Sequence, residues 1–185
     1  QGITAHDPGN GKLLWQADVF DRSHIESSIA SPVIAGKLVI ATSGWLGHGN
    51  EVIAVRPPLP GEGNRATQVY RIARGAPLCT TPLVYKDLLV LWSDNGIATA
   101  ADAQSGKVHW QKRIGGTFYS SPICIGDAIY NIDAEGKVTV LRAASEFEVL
   151  GRCALGDACH STPAVAHDRL YLRTFHRLSA LDRKP

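Results

Sequence analysis

An all-β fold, a β-propeller built of four-stranded antiparallel blades, is what this sequence predicts, and three observations carry it. A turn motif recurs: Asp7-Pro8-Gly9-Asn10-Gly11-Lys12-Leu13-Leu14-Trp15 and Asp102-Ala103-Gln104-Ser105-Gly106-Lys107-Val108-His109-Trp110 hold Asp, Gly, Lys and Trp at the same mutual offsets. Positions equivalent to that Asp fall at 7, 56, 102, 142 and 182, at gaps of 49, 46, 40 and 40. Ser31-Pro32, Thr81-Pro82, Ser121-Pro122 and Thr162-Pro163 each open a short apolar run, at gaps of 50, 40 and 41. A pitch of about forty to fifty residues is that of one propeller blade.

The elements follow in chain order. A small polar residue followed by Gly between two apolar stretches signals a hairpin, since Gly reaches positive φ freely and Asp can accept from the turn amides ahead of it. Residues 1–25 therefore read as the last two strands of a blade, joined by the turn Asp7, Gly11, Lys12. Residues 26–76 form a blade with strands at 31–35, 37–42, 51–56 and 67–72, and with two insertions. The insertion 43–50 carries Trp45 and His48 and lengthens the loop between second and third strands, where repeat proteins often place a working surface. A lid on its own blade is the plainer reading for Trp45. The insertion 57–64 holds three prolines and cannot be strand interior, because Pro removes a ladder donor.

Residues 77–116 give the most regular unit, with strands at 81–85, 88–93, 96–101 and 107–113 and the turn Asp102, Gly106, Lys107. Residues 117–157 repeat the plan at 121–125, 128–133, 137–142 and 148–153. Residues 158–185 offer three strands, at 162–166, 169–174 and 177–181.

Repeats carrying [ST]-P, two further strands and then A-x-D-x-x-[ST]-G-K-x-x-W resemble the pyrroloquinoline-quinone (PQQ)-like β-propeller family over the whole chain. The resemblance implies four-stranded blades, with Trp15 and Trp110 docking against the neighbouring blade. Two repeats depart from the pattern: Tyr70 and Leu150 fall where a Trp would stand, without an [ST]-G-K turn. The family usually closes seven or eight blades. Four to five are present here, so the ends are expected to be completed by the remainder of its own propeller or by a second copy; the alternative is a smaller ring with 13–17 paired beside 177–181.

Composition narrows the function. The net charge is +2 and the 19 basic residues are scattered rather than gathered, which argues against a nucleic-acid partner. No apolar run of about eighteen residues is present, so no membrane span and no signal peptide are expected in this segment. The chain has no Met and opens on Gln1-Gly2-Ile3 inside a repeat, which reads as a processed chain or part of a longer one.

Small hydroxyls at Ser31, Thr81, Ser121 and Thr162 are expected on the innermost strands, where crowding at the axis is reason enough for them. Just ahead of them, Leu78-Cys79, Phe118-Tyr119 and Cys159-His160 should lie near one channel mouth and form a shared recognition surface. Phe118, Tyr119 and His160, with Trp45 and His48, are thus the candidate interaction surface. Cys79, Cys124, Cys153 and Cys159 lack zinc-site spacing. Cys153 and Cys159 could be bridged outside the cytoplasm or stand as separate thiols. The 7 histidines share no H-x-x-x-H pair, so no metal site is assigned, and His160 beside Cys159 is the one position to inspect.

No catalytic, cofactor-binding or metal-ligating set is assigned. A non-enzymatic scaffold that presents loops to a protein partner in an extracytoplasmic bacterial setting is the leading reading, with no cofactor. The resemblance leaves two others: a fragment of a PQQ-dependent dehydrogenase, and a sensor or carbohydrate-binding propeller of a larger protein. The dehydrogenases stack their quinone beneath adjacent disulfide-bonded cysteines, and no adjacent Cys pair exists here.

Overall fold

A computed structural model describes residues 2–20, 27–44 and 50–182; Trp45 and His48 lie outside them. Strands β1 (Ile3–His6) and β2 (Leu13–Ala17) form a two-stranded sheet. Three four-stranded sheets follow. The first comprises β3 (Val33–Ala35), β4 (Leu38–Ser43), β5 (Glu51–Arg56) and β6 (Thr67–Ile72). The second comprises β7 (Leu83–Tyr85), β8 (Leu88–Trp92), β9 (Ile97–Asp102) and β10 (Val108–Arg113). The third comprises β11 (Ile123–Ile125), β12 (Ala128–Ile132), β13 (Lys137–Arg142) and β14 (Val149–Ala154). A three-stranded sheet ends the series: β15 (Ala164–Ala166), β16 (Arg169–Arg173) and β17 (Leu178–Asp182). Pairing within each sheet is antiparallel, between chain neighbours, and no helix occurs among the described residues.

The innermost strands begin at the residue immediately after the [ST]-P pair rather than at it. Pro has no amide to give the ladder. The hydroxyl residue before it uses its own amide elsewhere: Ser31 N–H donates to Thr81 Oγ1 (3.2 Å), Thr81 N–H to Ser121 Oγ (2.9 Å) and Ser121 N–H to Thr162 Oγ1 (3.0 Å). Small size at a crowded axis is therefore not the whole reason for these residues. The hydroxyls of Thr81, Ser121 and Thr162 each accept a hydrogen bond from the preceding blade, so the four positions form a relay from sheet to sheet.

Between blades the faces are apolar on both sides. All five residues of β8, Leu88-Leu89-Val90-Leu91-Trp92, are buried. Leu88, Val90 and Trp92 pack with Ile129 and Leu141 of the following blade, while Leu89 and Leu91 pack with Ile40, Val52 and Ala54 of the preceding one. A strand covered on both faces reads as a continuous apolar run rather than an alternating one. Full burial stabilises each large aliphatic side chain by about 1.5–3 kcal/mol, so these faces supply the cohesion of the stack.

At the two ends the sheets stay apart: β2 pairs with β1 and β17 with β16, and neither sheet joins the other. In this structure 13–17 is not paired beside 177–181. β2 instead meets the Pro-rich insertion, with Gln16 N–H donating to Asn64 O and Ala66 N–H to Gln16 O, both at 2.9 Å. Leu170 and Leu172 face the preceding blade. Leu178 pairs with Arg173, on the opposite face of the sheet, and is 70% exposed. Ile34 is likewise 71% exposed on the side of β3 facing the two-stranded unit, which supplies only β1 and β2 there.

Candidate protein-interaction surface

Because strands alternate in direction, the turns joining strands one to two and three to four share one end of each blade. Ala103 N–H donating to Asp87 O (2.8 Å) and Ala143 N–H to Asp127 O (2.7 Å) tie these turns together. The Asp, Gly and Lys of the recurring motif sit here. Asp7 N–H donates to Lys12 O (2.9 Å) and Gly11 N–H to Asp7 O (2.8 Å); Asp102, Lys107 and Gly106 repeat both bonds at 2.9 and 2.8 Å. Asp102 Oδ1 accepts from the Ser105 amide (2.7 Å) and hydroxyl (2.6 Å), and these bonds, the hydroxyl first, hold its carboxyl below the usual range. Gly106 has φ +71°, and a Cβ there would stand 2.4 Å from the Tyr70 ring. Where Arg replaces the Asp, a charge pair replaces the motif: Arg56 meets Glu62 at 2.9 Å, and Arg142 meets Glu148 and, at 2.7 Å, Asp127.

The aromatic residues of the outer strands connect blade to blade. Trp110 is 7% exposed; its Nε1–H donates to Ala144 O (3.1 Å) and its ring lies 5.1 Å from that of Phe147, both on the next blade. Tyr70, standing where a Trp was expected, is buried and donates its hydroxyl to Ala103 O (3.0 Å), again on the next blade's turn. Trp15 is half-buried against Ala41, Ile53 and Val55. Leu150 remains exposed. Burial, with the Asp102 charge adding to it, pushes the Tyr70 hydroxyl up to about 12.

A raised phenol favours the folded state while neutral, so this contribution is whole below the ordinary tyrosine value near pH 10 and is lost as pH rises through about 12. In urea unfolding, Tyr70→Phe should cost about 0.5–1.5 kcal/mol near neutrality and less near pH 11. An equal cost at both pH values counts against the assigned contact.

The opposite end gathers the turns joining strands two to three and the connectors between blades. A chain of backbone bonds crosses it: Phe118 N–H to Asp94 O (2.9 Å), Ala134 N–H to Thr117 O (2.7 Å), Cys159 N–H to Ala134 O (3.2 Å) and Phe175 N–H to Ala158 O (2.9 Å). Consecutive connectors and turns are thereby held side by side. Residues on an extended connector point alternately inward and outward. Tyr119 and His160 point out, and with Phe175 they form a strip: Tyr119 to His160 is 4.4 Å between ring centroids and His160 to Phe175 is 5.0 Å. Tyr119 is 48% exposed and Phe175 58%, and His160 is exposed as well.

Phe118 corrects an expectation. It is 1% exposed, 5.3 Å from the Trp92 ring, and belongs to the core between blades because its neighbour Tyr119 takes the outward place. Cys159 is buried in the same inward position and directs its Sγ to Arg173 O (3.0 Å). Cys153 is exposed, and both are free thiols, so the bridge between them is not formed. Phe175 was not singled out in the sequence. It stands where the two preceding blades carry Asp94 and Ala134, and an aromatic in that turn was the available signal. Beside it, Asp157 accepts from His176 N–H (3.0 Å) and lies 3.0 Å from His176 Nδ1. The Thr174 hydroxyl and His176 hold the Asp157 carboxyl well below its usual range. Among the described residues no three His, Cys, Asp or Glu side chains gather as a metal-binding group, and no helix is long and apolar enough to cross a membrane.

Among curated proteins, none matches the chain in sequence. Among solved structures, BamB from Moraxella catarrhalis is similar with a TM-score of 0.70 at 15% identity, over 98% of this chain and 55% of that one. A europium-containing methanol dehydrogenase is similar with a TM-score of 0.53 at 14% identity, over 69% of this chain and 26% of that one. Likeness at such identities shows the β-propeller fold alone, and the chain spans about half the length of the BamB structure. A family model described as outer membrane protein assembly factor BamB matches residues 1–183, nearly the whole chain, so this protein belongs to that family.

Proposed function

We propose that the chain is a non-catalytic propeller segment that presents its connector end to a protein partner in an extracytoplasmic bacterial setting. The observation that carries this reading is the exposed strip Tyr119, His160, Phe175. Contiguous aromatic surface left in water is a cost to the free protein, and aromatic side chains anchor interfaces. Family membership supports the setting, and further blades, from the remainder of its own propeller or a second copy, suit the open face around Leu178.

Replacing Tyr119 or, separately, Leu178 by a benzophenone-bearing phenylalanine, which keeps an aromatic ring at position 119, tests both statements in bacterial envelopes. Tyr119 should capture another protein, whereas Leu178 should capture a copy or segment of this propeller. Absence of any adduct at Tyr119 would sink the scaffold reading. The dehydrogenase reading has the methanol dehydrogenase likeness in its favour; stoichiometric binding of PQQ with calcium in a calorimeter would restore it.

A further inference from the structure

The strip is not uniformly apolar, and its hydrogen-bonding groups are unevenly engaged. Two of the nearby carboxylates, Asp94 and Asp157, are occupied within the fold. Asp94 accepts from the Leu78 and Cys79 amides at 2.6 and 2.8 Å, and Asp157 holds His176 through both oxygens. The exposed Glu135 lines a cleft together with two cations, Lys137 and Arg152. The donors are in the reverse condition. Among the described residues, His160 meets the rings of Tyr119 and Phe175 and makes no hydrogen bond, His176 is bonded through Nδ1 with no partner at Nε2, and Arg177 uses one side-chain nitrogen on Leu155 O (2.7 Å) with its remaining guanidinium N–H groups unpartnered.

A surface of rings edged by donors, with the Asp94 and Asp157 carboxylates already engaged, complements a ligand that brings apolar area and acceptors together. The rings follow one another at 4.4 and 5.0 Å, a continuous row along which an extended chain, whose alternate side chains repeat at about 6.6 Å, can lie. We infer that the strip Tyr119, His160, Phe175 with its flanking His176 and Arg177 takes an extended acidic polypeptide segment, seating an apolar or aromatic side chain on the rings and carboxylates on the imidazole and guanidinium groups. Arginine suits that task because its planar fork matches a carboxylate. The inference rests on the scaffold reading and names the chemistry of its partner.

Calorimetric titration of the whole chain with two synthetic peptides tests it, one alternating Phe with Glu and the other Phe with Lys. The acidic peptide should saturate the chain and the basic peptide should not. Phe175→Ala and Arg177→Gln should each weaken the acidic peptide about tenfold, with thermal melting showing that both variants remain folded. Failure of the acidic peptide to bind, equal binding of the two peptides, or unchanged affinity in the folded Phe175→Ala chain overturns the inference. A crosslinked partner at Tyr119 combined with any of those results keeps the scaffold reading and removes its acidic ligand.

Discussion

Trp110→Ala should lower the unfolding free energy by about 3–5 kcal/mol, the range for removing a large buried aromatic side chain. The indole lies between blades, in one cluster with Phe118, Ile129 and Leu141 and edge-on to Phe147 at 5.1 Å. Truncation would open a void bounded by two sheets joined mainly through such side chains, and neither sheet can close it without disturbing its own ladder. Ala144 O would also lose the indole donor. Trp110→Phe separates the two losses, keeping most of the apolar body while removing the bond, and should cost less. Chemical unfolding of both variants reads the difference; a Trp110→Ala chain as stable as the parent would show that the inter-blade contact contributes nothing.

The blade plan was legible in the sequence because the same local chemistry recurs at each blade. Asp followed by Gly-Lys makes a turn wherever it appears, and Ser-Pro or Thr-Pro precedes each inner strand. Side-chain direction was less legible. Phe118 and Tyr119 are adjacent aromatics of similar size, and composition cannot say which points inward; that is decided by the backbone bond from Phe118 to Asp94 O, a contact 24 residues away in the chain. The relay from Ser31 through Thr162 was hidden for the same reason, since each bond links positions 40 to 50 residues apart. Tyr70 looked like a lost Trp, yet it reaches the equivalent turn of the next blade. Phe175 was concealed because an aromatic in a turn carries no periodicity.

Replacing the adjacent residues Phe118 and Tyr119 should have opposite consequences. Phe118→Ala should cost about 3–5 kcal/mol of stability, because its ring is enclosed with Trp92 and Ile129 in the core between the second and third four-stranded sheets. Tyr119→Ala should change stability by about 0.5 kcal/mol or less, since its ring meets His160 at the surface and the backbone bonds that hold the connector do not depend on it. Partner capture should reverse the order. A Tyr119→Ala chain, folded as the parent, should lose most of its partner binding, whereas a Phe118→Ala chain that still folds at low temperature should keep it. Unfolding curves beside binding measurements on the two variants decide the matter. If Phe118 is the residue that binding requires and Tyr119 the one that folding requires, the inward and outward assignment along this connector is reversed, and the strip built on Tyr119 falls with it.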